Sequence, residues 1–556
     1  MNAPAEYPRR RRLWTFQGGL QLPGHKTEST GSPIREAPVP DRLIVPLHQH
    51  IGAPAKPLVK VGDRVLKGQL IGQSEGYVSA GIHAPTSGQV AEIGPMPVPH
   101  PSGLAEPCIL IAGDGEDRWG ELPEPWPDFH DRDPADLRQR VRWAGIVGLG
   151  GAGFPTSVKL NPGPDHPVET LILNGAECEP YISCDDMLMR ESADRIATGL
   201  CIMKHMLGAR ECLVGIEDNK PEAIQAMTEA LAGTGESSLE VVTIPTRYPS
   251  GGEKQLVRIL TGKEVPRHGI PAHVGVVCQN VATAAAVADA VLEGKPLLSR
   301  IVTITGEGVA QPQNFHVLTG TPINNLMEAA GGYRGKVSRL IFGGPMMGYA
   351  LADDAVPVTK GCNCIIAASP REAPVPRSPG PCIRCGECAR VCPVELLPQQ
   401  LYWYARARDF DKTQDYNLFD CIECGCCAEV CPAHIPLVQY YRFTKTEVWA
   451  RERDKHKADQ ARQRHEARAA RLERLEQERK SRLRRKKEDL EKPAKQADTD
   501  PKKAAIQAAI ERAKARKASL ADEGAAPRNT EQLTPAQQKQ IEAVNKRRAN
   551  TPKTDA

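Results

Sequence analysis

No stretch of this sequence approaches the ~18 consecutive apolar residues of a membrane-spanning helix, and the mean hydropathy is −0.41. A spanning role is therefore not expected, and a membrane is reachable only through a partner protein or a peripheral contact. Residues 1–16 carry four consecutive arginines at 9–12 but no apolar core and no small-residue cleavage site, so they do not read as a secretory signal. Without an export signal the cysteines belong in a reducing cytosol, where clustered thiols bind metal more often than they pair. A strong charge of one sign is also missing. The 72 basic and 68 acidic side chains leave a net charge of +4, which does not argue for nucleic acid as a partner.

What is present is unevenly placed. The 556 residues suggest three or four domains. Residues 445–556 hold 31 basic and 19 acidic side chains, a local +12 that leaves −8 for the rest. Of 17 cysteines, six precede Cys362 and eleven lie between Cys362 and Cys431. A uniform single-domain globule is excluded.

Residues 40–95 alternate short β-rich runs (43–46, 59–63, 65–69, 77–79, 89–90) with Gly/Pro turns, the pattern of a small all-β unit. The phrase V-K-V-G-D-R-V-L-K-G-Q at 59–69, followed by A-P-T-S-G-Q-V at 84–90, resembles the biotinyl/lipoyl barrel-sandwich domain. That family carries its cofactor on a hairpin lysine. None stands between Gly72 and Ala84, so a structural use is expected. From about residue 136 to 293, strand-like runs (146–147, 171–173, 212–214, 241–243) alternate with helical stretches at 192–206 and 222–231, implying βαβ units and a mostly parallel sheet. Residues 300–350 return to β and turn character at 301–306 and 340–342 and resemble a ligand-binding β-grasp module. Residues 368–381 are a Pro-rich linker. Residues 450–496 interleave charges around few apolar anchors, which reads as a solvated helix, and residues 497–556 read as disordered.

The cysteine block holds two copies of C-x2-C-x2-C-x3-C-P: Cys382, Cys385, Cys388, Cys392 with Pro393, and Cys421, Cys424, Cys427, Cys431 with Pro432. This spacing wraps three thiolates around one 4Fe-4S cluster and sends the fourth to the other. One cluster is thus assigned to Cys382, Cys385, Cys388 and Cys431, and the other to Cys421, Cys424, Cys427 and Cys392. Zinc is the alternative, but it needs only simpler Cys pairs and leaves the x3-C-P endings unexplained. Cys426 is read as a bystander, and Cys362 and Cys364 as structural thiols.

The second signal is G-L-G-G-A-G-F-P-T-S-V-K at 148–159, after the strand-like pair at 146–147. A glycine-rich loop between strand and helix lets backbone N–H groups meet a phosphate. A tight turn with no ligand is the other reading, since many turns need glycine for positive φ. The loop closely resembles the G-R-G-G-A-G-F-P-T-G-x-K motif of the flavin subunit of respiratory NADH:quinone oxidoreductase, with Leu149 in place of arginine. N-G-A-E-C-E-P at 174–180 resembles that family's flavin segment, with Ala176 as a departure. Y-P-S-G-G-E-K at 248–254 and N-V-A-T at 280–283 resemble its following motifs. The resemblance implies FMN held by Gly148, Gly150, Gly151, Gly153, Lys159, Asn174, Glu177, Glu179, Gly252, Asn280 and Thr283, with Glu253 on the nicotinamide side as the catalytic candidate.

With G-G-L-Q-L-P-G-H-K at 18–26 and the paired cysteine motifs, the order over about residues 13–445 resembles the RnfC family of the Rnf electron transport complex. The implied chain is multidomain α/β with small β modules. It comprises a barrel-sandwich domain (1–135), a Rossmann-like FMN/NADH domain (136–295), a β-grasp module of the SLBB kind (296–365), a two-cluster ferredoxin-like domain (366–445) and a charged tail (446–556). The implied activity is an NADH-linked oxidoreductase subunit with FMN and two 4Fe-4S clusters. It would sit peripherally on the cytoplasmic side of the inner membrane. There it would pass electrons between NAD(H) and a ferredoxin-like iron–sulfur partner among other membrane subunits. A soluble cobalamin-reducing flavoprotein of similar domain order, a non-catalytic electron wire and a zinc-organised scaffold are the alternatives.

Overall fold

The structure, a computed structural model, describes residues 11–376, 378–491, 501–522, 538 and 540–542. They belong to two compact units, divided between residues 454 and 455.

The centre of the first unit is a four-stranded all-parallel sheet. Its order is Leu239–Ile244, Glu211–Glu217, Thr170–Gly175, Val276–Asn280. The strands are near-continuous apolar runs because both faces are covered. Leu171, Leu173, Cys212, Val214 and Ile216 face one core with the helices Pro134–Trp143, Ala193–Leu207, Pro221–Gly233 and Val281–Leu292. Ile172, Leu213, Val242 and Ile244 face the other, under the helix Glu253–Thr261. Helices Ala193–Leu207 and Val281–Leu292 cross so tightly that a Cβ on Gly199 would lie 1.9 Å from the carbonyl oxygen of Ala284.

The barrel-like part is a four-stranded sheet (Arg42–Pro46, Ala105–Gly113, Gly88–Pro97, Arg64–Val65) and a three-stranded one (Lys56–Pro57, Leu70–Gln73, Ile82–His83) around a shared core. The runs read as strands at 59–63 and 77–79 are turn and bend instead. Gly62 within the first run and Gly76 just before the second have φ of +95° and +78°, which breaks the extended backbone.

A mixed six-stranded sheet follows, ordered Arg35–Glu36, Gln313–Leu318, Ser299–Thr305, Cys364–Ala368, Arg339–Phe342, Tyr349–Ala350. Strand Cys364–Ala368 lies inside it and is wholly buried, so this module runs three residues past its expected end at 365. Cys362 and Cys364 are buried there as thiols.

The first strand of that sheet belongs to a strap, residues 11–36, that leaves the barrel. Arg11 pairs with Glu211 and Glu240, Trp14 N–H donates to Ile259 (3.0 Å), and Gly19 N–H donates to Val391 (2.9 Å). The expected 1–135 domain is therefore split, because the strap finds its backbone partners on the other modules.

The cysteine module packs Leu401, Tyr402, Leu418, Ile435, Leu437 and Tyr441 into a small core. Its last helix is Leu437–Glu491, whose later residues are exposed and linked by pairs such as Lys480–Glu476 and Arg484–Glu488. In the second unit Pro501–Asp522 is helical, contrary to the expected disorder. Proline at the first helical position and an Ala/Lys/Arg-rich run favour that state locally. The rest of the expected disordered tail, apart from residues 538 and 540–542, lies outside the described residues. Among the described residues no helix is long and apolar enough to cross a membrane.

Candidate functional site

In the parallel sheet the chain runs outward from Thr170–Gly175 through two strands, then returns to its other side with Val276–Asn280. The carboxyl ends of those two strands, where the winding direction reverses, form the crevice in which open α/β sheets bind ligands. Asn174 and Asn280 are the paired residues at that point. The Asn174 amide donates to the Gly251 carbonyl (2.8 Å). The Asn280 side chain caps the helix Val281–Leu292 through Ala282 N–H (2.9 Å) and donates to Asp185 (2.6 Å).

The glycine-rich loop lies over this crevice. Leu149 N–H donates to Thr283 Oγ1 (2.9 Å), and Gly150 packs against Asn280. The expected strand before the loop is not formed. Residues 147 and 155 make one isolated bridge, and Gly148 N–H donates to Phe154 (2.7 Å), so the loop closes on itself before the four-residue helix Thr156–Lys159. Gly151 and Gly153 have φ of +108° and +63°, and a Cβ at Gly151 would meet nothing within 4 Å. The N–H groups of Gly150, Gly151 and Ala152 have no backbone partner among the described residues. Thr156 Oγ1, Gln255 Oε1 and Gln279 Nε2 are buried without hydrogen bonds. Free amides on a glycine-rich loop over the carboxyl ends of these strands fit a phosphate-bearing ligand.

The remaining predicted residues divide. Lys159 and Glu253 form an ion pair, so Lys159 meets a carboxylate of this chain where a ligand's charge was expected. Gly252 caps the helix Glu253–Thr261. Glu177 turns from the crevice to the start of the helix Cys184–Glu191, accepting from Asp185 N–H (2.7 Å) and Asp186 N–H (3.3 Å). Burial raises its carboxyl to about 7. Glu179 points to a different module, accepting from Met346 and Met347 N–H (3.2 and 2.9 Å), and burial raises it to about 7 as well. Three groups escaped the motif reading. Asp185 orients Asn280. Arg300 donates to the carbonyls of Leu149 (2.9 Å) and Lys360 (2.6 Å), fixing the loop's base. Lys26 donates to the carbonyls of Glu177, Glu179 and Ile182. No periodicity signals such contacts; only Lys26 lies in a motif.

The two cysteine motifs repeat in three dimensions with an offset of 39 residues. Left-handed backbone occurs at Arg384, Gly386 and Glu395, and again at Glu423, Gly425 and His434. Short helices Glu387–Arg390 and Cys426–Glu429 follow the same offset. Cys426 is thus the counterpart of Glu387, not of a motif cysteine. Two cavities result. One is lined by Cys382, Cys385, Cys388 and Cys431, the other by Cys392, Cys421, Cys424 and Cys427. Leu396 N–H points at Cys392 Sγ (3.3 Å) and Glu423 N–H at Cys421 Sγ (3.4 Å), donors that suit thiolates. Four soft sulfur ligands per cavity fit an iron–sulfur cubane. Beside the second cavity, Tyr248 and Cys178 pack with Cys424 and Cys426. Cys385, which lines the first, is exposed.

Comparison with known proteins agrees with these modules. Residues 141–289 match the Nuo51 FMN-binding domain, 14–116 the RnfC barrel sandwich hybrid domain, 301–350 the SLBB domain and 381–435 the 4Fe-4S dicluster domain. The C subunit of the ion-translocating oxidoreductase complex of Pseudomonas aeruginosa is 54% identical over 450 residues, covering 81% of this chain and 58% of that protein. This chain thus spans less than two thirds of that relative's length. The Yersinia pestis bv. Antiqua protein of the same name is 48% identical over 451 residues, covering 81% of this chain and 72% of its own. A crystal structure of an NAD+-reducing NiFe hydrogenase in the H2-reduced state aligns at 21% identity over 56% of this chain and 63% of that one, with a TM-score of 0.42. With half its residues identical to these relatives across four-fifths of its length, the chain belongs to the RnfC family, the C subunits of ion-translocating oxidoreductase complexes.

Proposed function

We propose that this chain receives electrons from, or returns them to, NAD(H) within a membrane-bound ion-translocating complex, and relays them to a ferredoxin-like iron–sulfur subunit. FMN, when bound, exchanges two electrons as hydride and one at a time toward clusters, and each of two 4Fe-4S groups carries a single electron. The chain's own work is placement. The amides of Gly150, Gly151 and Ala152 would hold the flavin phosphate, Asn174 and Asn280 would line its edge, and Thr283 keeps the loop seated through Leu149. Glu253, tied to Lys159 at the crevice mouth, would face the nicotinamide. Glu177 and Glu179 act at one remove, bracing the segment that follows Asn174. The Rossmann-like and β-grasp descriptions suit the sheet orders given above.

The observation that carries this reading is the packing of Tyr248, first residue of the 248–254 segment, on Cys424, which lines the Cys392/Cys421/Cys424/Cys427 cavity. Electrons need a short path between a flavin crevice and a cluster, and this contact supports one. The exposed Cys385 edge is then the face for the next subunit. Attachment to the cytoplasmic side of a membrane would come through partner subunits. Family membership favours this over the soluble cobalamin-reducing alternative. The test is quantification on full-length protein purified without oxygen. About eight irons with matching sulfide and one FMN per chain are expected. Zinc in place of iron, or no flavin after reconstitution, contradicts it.

A further inference from the structure

Tyr248 is where the flavin-side segment meets the cysteine module. The residue is only 2% exposed, and its hydroxyl donates a 2.7 Å hydrogen bond to the backbone carbonyl of Cys424. The backbone is held by a reciprocal pair of 2.8 Å bonds with Leu20 of the strap. Beyond it, Ser250 Oγ donates to Glu217 and Gly251 accepts from Asn174, so the segment is pinned at both ends. The aromatic ring belongs to a small apolar cluster with Cys424 and Cys426, bordered by Leu20, Leu22, Cys178 and Met346, a packing task phenylalanine would do as well. The hydroxyl's hydrogen bond goes to the carbonyl of a motif cysteine.

A carbonyl oxygen carries partial negative charge, and a buried one acts through a low dielectric with little screening. A donor proton on it offsets part of that field, which matters most when the neighbouring cluster gains an electron. Hydrogen bonding and solvent exposure are the protein's levers on cluster potential. The two motifs differ on both counts. Cys424 is buried and its carbonyl is engaged by Tyr248. Its counterpart in the 39-residue repeat, Cys385, is exposed and so is open to water.

We propose that Tyr248 is a positioning residue that raises the reduction potential of the cluster on Cys392, Cys421, Cys424 and Cys427 and leaves that of the cluster on Cys382, Cys385, Cys388 and Cys431 unchanged. The inference rests on the iron–sulfur reading of these thiols. The hydroxyl is neither a cluster ligand nor an electron carrier. It donates a proton in a hydrogen bond and keeps it, so no group is oxidised or transferred.

The test is a potentiometric titration of the full chain, purified without oxygen and followed by electron paramagnetic resonance, comparing wild type with Tyr248→Phe. Loss of the hydroxyl should shift one cluster to a more negative midpoint, leave the other where it was, and leave the iron content unchanged. Two unmoved midpoints, or two that move together, overturn the proposal. Should Tyr248→Phe fail to fold, a fluorinated, more acidic tyrosine at position 248 keeps the ring and strengthens the donor. The same midpoint should then move upward, and no movement or a downward one overturns the proposal. A separate control isolates the iron–sulfur assignment: Cys424→Ala should remove one cluster signal and keep the other. If wild type holds no clusters, that assignment is what fails.

Discussion

The Lys26 ammonium lies 3.8 Å from the Glu177 carboxylate and donates to the carbonyls of Glu177 (2.7 Å), Glu179 (3.0 Å) and Ile182 (2.5 Å). A lysine of the N-terminal strap thus satisfies three backbone carbonyls shortly after the strand that ends at Gly175. The conformation of that segment depends on a residue some 150 positions earlier in the chain.

Lys26→Met should therefore destabilise the first unit by about 2–4 kcal/mol, because it leaves three part-buried carbonyls without their donor and the buried Glu177 carboxylate without its nearby cation. Chemical denaturation measures the loss, and FMN affinity should fall with it. A variant as stable as wild type would show that the strap is dispensable for this segment.

Gly199→Ala should be more damaging than its size suggests. The new Cβ would lie 1.9 Å from the Ala284 carbonyl, so the two helices must separate. A cost of about 3 kcal/mol is expected for overpacking against rigid backbone. The denaturation midpoint is the readout, and Gly233→Ala, where a Cβ meets nothing, is the control.

Lys360 gives a pH dependence with a defined sign. Its fully buried ammonium donates to Gly81 (2.9 Å) and Gly145 (2.7 Å), and burial lowers its pKa from 10.5 to about 7. Between those values the unfolded chain holds a proton that the folded chain lacks, so this residue makes stability rise with pH. The slope is at most about 1.4 kcal/mol per unit. Below about 7 both states are protonated and the dependence vanishes. Denaturation from about pH 7.5 to about pH 9, inside that window, should show Lys360→Met with a flatter profile than wild type.

Cys426 and Cys427 are neighbours with different expected fates. Cys427→Ala should lose about four irons per chain, since Cys427 lines the second cavity. Cys426→Ala should keep them, because the repeat makes Cys426 the counterpart of Glu387. Iron and sulfide analysis of both variants checks the pair.

The legible parts of this chain are those written in local spacing. The two C-x2-C-x2-C-x3-C-P runs point to paired four-thiol sets, and the structure gathers the same eight cysteines around two cavities. The apolar runs at 171–173 and 212–214 mark strands of the parallel sheet, since strands covered on both faces are continuously hydrophobic. The missed features depend on distant partners. The pair at 146–147 is apolar enough for a strand, yet Gly148 turns the chain onto Phe154 before a ladder can form. Glu177 and Glu179 sit in a flavin-like motif, but a helix start and the 346–347 amides claim their carboxylates. The strap's partners lie hundreds of residues away, and composition carries no signal of them.

The most direct test of the account is to add NADH, without oxygen, to full-length protein carrying FMN and iron–sulfur clusters, and to follow flavin absorbance and cluster paramagnetic signals together. The account predicts that flavin absorbance bleaches and cluster signals develop, and that protein stripped of FMN shows neither change. Cluster reduction by NADH without flavin, or bleached flavin beside clusters that stay oxidised with other electron acceptors absent, would contradict it.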